Sequence, residues 1–183
     1  MPRQAAFLRA INVGGHTVKM DALRRILESL GLTGVETFIA SGNVVFEASE
    51  DDASALELRI SQGLREALGY EVATFVRGMA ELAGIAAHRP FTSVELEGAV
   101  ALNVAFTSAA VDEGAARRLL ALRSEIDDFR VRGREVYWLC RTRQSESTFS
   151  NAVLEKTLGR PSTLRGVNTV AKMAAKFAAG ARS

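Results

Sequence analysis

Cysteine is almost missing: Cys140 stands alone among 183 residues, so no intrachain disulfide can form and a thiolate-rich metal site is excluded. Histidine occurs twice, at His16 and His88, which leaves little imidazole for catalysis or metal binding. No run approaches the ~20 apolar residues needed to span a bilayer. The opening MPRQAAFLRA lacks the apolar stretch of a signal peptide. A cytoplasmic chain with no membrane partner is the expectation. What is present is ordinary for a globular protein: 48% hydrophobic residues and 24% charged ones, enough for one good core or two small ones.

The formal charge of +2 is unevenly spread. Residues 1–97 hold nine Lys/Arg against 13 Asp/Glu, whereas residues 98–183 hold 14 against eight. The basic half would suit an anionic partner, a nucleic acid or a phosphorylated metabolite, although its density is far below that of a typical nucleic-acid binder.

The hydrophobic pattern predicts AAFLRAI (5–11) as a strand and a helix from Met20 to Leu30 that stops at Gly31. VETFIA (35–40) and VVFEA (44–48) flank Ser41-Gly42-Asn43, a hairpin turn by composition. A helix with Leu56, Ile60, Leu64 and Leu68 on one stripe follows Glu50–Asp52, and EVATFV (71–76) reads as a fourth strand. This is the β-α-β-β-α-β order of the ferredoxin-like unit. A short helix, 79–87, and the connection 88–97 lead to a second round. Strands are expected at 99–106, 129–132 and 135–140, and helices at 112–122 and 149–158. STLR (162–165) offers a very short last strand, and a terminal helix over 170–180 is stopped by Gly180. The expected fold is α+β: two associated ferredoxin-like subdomains with antiparallel sheets, residues 1–87 and 98–183, the second ending in a helix.

In such a unit the first two strands run the same way. Their following loops therefore share one end of the sheet, together with the first helix N-terminus. Asn12, Gly14, Gly15 and Lys19 in one loop and Ser41, Gly42 and Asn43 in the other become neighbours. Lys19 and the helix dipole favour an anion, and Arg9, placed on the first strand, adds a second charge. Gly-Gly also suits a tight turn, and Ser-Gly-Asn good hairpin chemistry. Near the last helix, Arg165 stands before Asn168 and Thr169, either of which can cap that helix. This is a second candidate anion site.

FLRAINVGGHTVKM, FIASGNVVFE, VLEKTLG and TLRGVNTVAKM resemble the bacterial family of domain of unknown function 1697. The resemblance implies two associated ferredoxin-like subdomains and no established activity. Its pattern falls on Arg9, Asn12, Gly14, Gly15, Lys19 and Met20, then on Ser41, Gly42 and Asn43. It continues at Glu155, Lys156, Gly159, Thr163, Arg165, Asn168 and Thr169. The chain departs from the pattern at Gly166-Val167, where the family resembles Asn-Trp, and at Glu146, where a lysine is common.

No arrangement names a reaction. The P-loop and dinucleotide spacings are absent, no nucleophile elbow surrounds Ser41, and Asp127-Asp128 reads as solvated loop. No cofactor is expected. The leading expectation is binding of a small anionic ligand at the strand-one loop and its neighbouring hairpin. The alternatives are nucleic-acid binding through the basic half, with Phe129, Tyr137 and Trp138 as stacking surfaces if exposed and Arg130, Arg132 and Arg134 at a hairpin tip, or a protein-interaction module.

Overall fold

Two β-α-β-β-α-β rounds follow one another along the chain, and a computed structural model describes residues 1–11 and 15–178, the Ser41 side chain excepted. Asn12, Gly14 and Gly180 lie outside the described residues. The first round comprises β1 (Arg3–Leu8), α1 (Met20–Ser29), β2 (Thr33–Phe38), β3 (Ala40–Glu47), α2 (Ala53–Leu68) and β4 (Thr74–Gly78). Its sheet has the order β2-β3-β1-β4, and every neighbouring pair is antiparallel. The helices bury Leu23, Leu27, Leu56, Ile60 and Leu64 against Ala6, Leu8, Val44, Phe46 and Val76 on one sheet face. Asp52 caps α2 by accepting from the Ser54 and Ala55 N–H groups, and Gly69 ends it in a left-handed conformation. Such a cap is worth about 1 kcal/mol.

After α3 (Met79–Ala87) and the single turn α4 (Ser93–Leu96), the second round repeats the plan. It comprises β5 (Ala101–Phe106), α5 (Glu113–Leu120), β6 (Asp127–Arg132), β7 (Glu135–Cys140), α6 (Asn151–Leu158) and β8 (Thr163–Gly166). The order β6-β7-β5-β8 matches the first sheet strand for strand. The short STLR segment therefore does supply the fourth strand. Both rounds are ferredoxin-like. The chain continues into α7 (Val167–Met173) and a wider π-helical turn, Ala174–Ala178. By packing, Ala87–Val170 form one compact unit, and the chain from Ala171 joins Met1–Ala86 in the other. Among the described residues no helix is long and apolar enough to cross a membrane.

Each unit is locked by a buried polar group that sequence pattern does not reveal. Arg77 on the edge strand β4 is fully buried, with Glu57 of α2 3.9 Å away. Glu57 accepts from the Val76 N–H at 2.9 Å, and Arg77 donates to the Val76 carbonyl at 2.9 Å. The pair thus satisfies backbone groups that an edge strand would otherwise leave open. In the second unit Asp127 is buried rather than solvated. It accepts from the Trp138 indole N–H at 2.8 Å and from the Ser147 hydroxyl at 2.6 Å, tying two strands to the turn that precedes α6.

Several boundaries differ from the sequence expectation. β1 ends at Leu8, so Arg9 lies beyond the strand. The hairpin reverses at Ile39, and Ser41, Gly42 and Asn43 are strand residues of β3. β4 begins at Thr74, three residues late. α7 starts at Val167, which puts Asn168 and Thr169 inside its first turn rather than at a cap.

Glu57→Ala leaves Arg77 buried beside an empty carboxylate position and is expected to cost about 3–5 kcal/mol in urea denaturation, whereas Arg3→Ala, at a surface pair with Glu47, costs under about 1 kcal/mol. The same measurement on Asp127→Ala, which strands a buried indole N–H, should lose about 3 kcal/mol. The Asp112 carboxyl is held below its ordinary 3.8 chiefly by the Ala115 N–H at the mouth of α5. Its contribution is complete above pH 3.8 and disappears as pH falls through the lower folded value, so Asp112→Asn should flatten the acid limb of a stability–pH curve.

Candidate functional site

β1 and β2 are both antiparallel to β3, so they run in the same direction and their C-terminal ends share one end of the first sheet. The register puts Phe7 opposite Asn43 and Leu8 opposite Thr74. α1 opens there as well, since the Thr37 hydroxyl near the end of β2 contacts the sulfur of Met20 at 3.2 Å. One sheet end therefore gathers Arg9, the segment Gly15–Lys19, the Ile39 turn and the first residues of β3.

Backbone strain is concentrated at this end. Ala10 and Ile39 have φ of +52° and +65° and are the only non-glycine residues with positive φ among the described residues. One follows β1 and the other follows β2. A left-handed β-branched residue costs of order 1–3 kcal/mol and persists only where its surroundings impose it. Here the Asn43 side chain imposes it: the buried amide donates to the Phe38 carbonyl at 3.1 Å and braces the reversal. Asn43 is thus a bracing residue within the turn. Gly15, at φ +86°, has none of the described residues within 4 Å of where a side chain would project.

Tyr70 closes the arrangement from below. Its hydroxyl donates to the Ile11 carbonyl at 2.8 Å, and His16 stacks on its ring at 3.9 Å between centroids. One side chain thus grips the loop at Ile11 and again at His16, either side of Asn12 and Gly14. Lys19 is exposed at the N-cap of the ten-residue α1, which has no side-chain cap. Arg9 is half-buried, with its N–H donating to Ala73. The carboxylate of Glu47 pairs with Arg3.

The second candidate cluster is divided. Asn103 faces Gly166 and Val104 faces Arg165 across β5 and β8, so alternation sends Arg165 to the opposite sheet face from the Asn103 side. Arg165 donates to the Thr163 hydroxyl at 2.7 Å and the Leu164 carbonyl at 2.8 Å. Burial pulls its guanidinium down to about 10, still charged at neutral pH. Glu155 accepts from the Ser162 N–H at 3.0 Å, which makes that part of the motif a brace for β8.

The aromatic residues considered for base stacking are core residues: Phe129, Tyr137 and Trp138 are all buried. Arg130 is also engaged within the fold. It pairs with Glu95 and with Asp128, and its guanidinium lies 4.7 Å from the Phe91 ring centroid.

A family model described as protein of unknown function, DUF1697, matches residues 1–137. The chain belongs to this family. The match covers the strand-one loop, β3 and Tyr70, while the 155–169 motif lies beyond it. A solved structure similar to this DUF1697 chain is that of a conserved bacterial protein from Streptococcus pneumoniae, with a TM-score of 0.77 and 20% identity, covering 97% of this chain and 98% of the other. At that identity the likeness speaks for the fold alone. No curated protein matches the chain.

Sequence reasoning missed Tyr70, Ala10 and Ile39. An aromatic directly after a helix-stopping glycine was the available signal for Tyr70; the two strained residues have none, because alanine and isoleucine carry no mark of positive φ.

Ile39 is 62% exposed and little packing is lost with it. Ile39→Asn, which tolerates the left-handed region, is expected to raise stability by about 1 kcal/mol in urea denaturation. Tyr70→Phe, which loses only the hydrogen bond to Ile11, should lower it by about 1 kcal/mol.

Proposed function

We propose that this DUF1697 protein binds a small anionic ligand, of the phosphate or phosphorylated-metabolite class, at the end of the first sheet. The observation that carries the reading is the pairing of strain and charge. The two left-handed non-glycine residues, Ala10 and Ile39, flank the same sheet end at which Lys19 stands on an uncapped helix start. Strain of this kind is kept where geometry serves a ligand. The first-turn N–H groups of α1 supply donors and the positive end of a dipole. With none of the described residues within 4 Å of where a side chain would project from Gly15, a ligand can approach the backbone. Tyr70 fixes the loop on both sides, lowering the ordering cost of binding.

The burial of Phe129, Tyr137 and Trp138 removes base stacking on these rings from the support for the nucleic-acid alternative.

A thermal-shift titration with inorganic pyrophosphate and with a sugar phosphate, at low and moderate salt, tests the reading. A ligand at 100 times its Kd adds about 2.7 kcal/mol of stability. Lys19→Ala should leave the unliganded protein within about 0.5 kcal/mol of wild type and weaken binding roughly tenfold. No shift from either anion would discard the site.

A further inference from the structure

A cleft of about 700 Å³ in the first unit has the polar side chains of Arg3, Gln4 and Glu81 already engaged. Arg3 pairs with Glu47, Gln4 donates to the Glu50 carbonyl, and Glu81 accepts from the Gly78 N–H. The second cleft differs. It has a volume of about 510 Å³ and lies at the start of β5, beside the junction of β8 and α7. That size is typical of small-molecule sites. Asn103 lines it. The residue is 92% buried, from a relative exposure of 8%, and its amide nitrogen has no hydrogen-bond partner among the described residues. A buried amide donor left unpaired costs roughly 1–3 kcal/mol, and the residue that keeps this one lines the cleft.

The remaining lining says what kind of acceptor. Gln144 and Asn168 add two further carboxamides, and among the described residues no charged side chain lines the cleft. Arg165, next to Gly166 in sequence, leaves by the other face of the sheet. An ionic ligand would be desolvated there without a counter-charge. A carboxamide offers a donor and an acceptor side by side, and its best complement is a neutral, planar edge that offers the same pair reversed. The floor at Gly166 has no side chain, and a Cβ built there would lie 4.0 Å from the Asn103 oxygen. The glycine thus leaves space over the amide without being required by its backbone conformation.

We infer that this cleft is a binding site for a small neutral molecule presenting an amide-type edge, the edge shared by nucleobases and primary carboxamides, read by Asn103 with Gln144 and Asn168 around it. The site is separate from the anion site proposed above and stands or falls without it.

The test is a ¹⁵N NMR titration of the full chain with uracil, adenine and nicotinamide, each to millimolar concentration. The Asn103 side-chain amide pair is assigned by its disappearance in Asn103→Leu. A saturable movement of that pair with uracil or adenine, but not nicotinamide, identifies a nucleobase site; the reverse identifies a carboxamide site. In either case Asn103→Leu should weaken the probe about tenfold or more. Gly166→Val, which fills the cleft while keeping the amide, should abolish binding and serves as the test if Asn103→Leu does not fold. No movement with any probe would overturn the inference, and so would equal affinity in Gly166→Val.

Discussion

In each unit the first strand is the one that the other strands are built around. β1 lies between β3 and β4, and β5 lies between β7 and β8, with antiparallel ladders on both sides. A one-residue slip in either ladder would send every apolar side chain to the wrong face, so the register is held by the core itself. That register then decides which loops meet. At the first sheet it brings the ends of β1 and β2 together with the start of α1. At the second, Thr107 closes the equivalent end by donating to the Ala109 and Arg134 carbonyls at 2.7 and 3.0 Å. The space in that unit is at the opposite end, over Asn103. The two copies of the scaffold thus each carry a cleft at the equivalent end, beside the start of the first strand and the end of the last.

The buried polar groups sort into two kinds. Glu57 with Arg77, and Asp127 with Trp138 and Ser147, are satisfied networks, and their burial is compatible with stability because the partners are in place. Among the described residues, Asn103 and Tyr137 are exceptions in the second unit, since the fold buries the amide nitrogen of one and the hydroxyl of the other without a hydrogen-bond partner, and of the two Asn103 lines a cleft. A network that is complete contributes rigidity; a group left open carries a standing cost, and that asymmetry distinguishes a brace from a recognition element.

The order of strands and helices was legible because it rests on periodicity. The stripe Leu56, Ile60, Leu64 and the glycine stops report directly on helix faces and ends, and even the four-residue β8 was anticipated. The turn between β2 and β3 was misplaced for an equally physical reason. Ser-Gly-Asn has the composition of a turn, yet the reversal falls on Ile39, where the Asn43 amide and the ladder to β1 outweigh local preference. Likewise Arg9 alternates correctly on paper but falls past the strand end. At the candidate site, shared placement at one sheet end followed from topology alone. Strain at Ala10 and Ile39 and the grip of Tyr70 did not, because each depends on contacts between residues far apart in the chain.

The last helical turns belong with the first unit. Phe177 packs edge-on against Phe38 at 5.7 Å, Lys176 lies 3.8 Å from Glu36, and Arg3 lies over the Phe177 ring. The chain thus builds its first unit from both sides of the second. On a ribosome, residues 87–170 have all been made before Phe177 exists, so the earlier-synthesised sheet waits with its β2 aromatic uncovered while the later one finishes. Maturation of the first unit therefore waits on the making of the second.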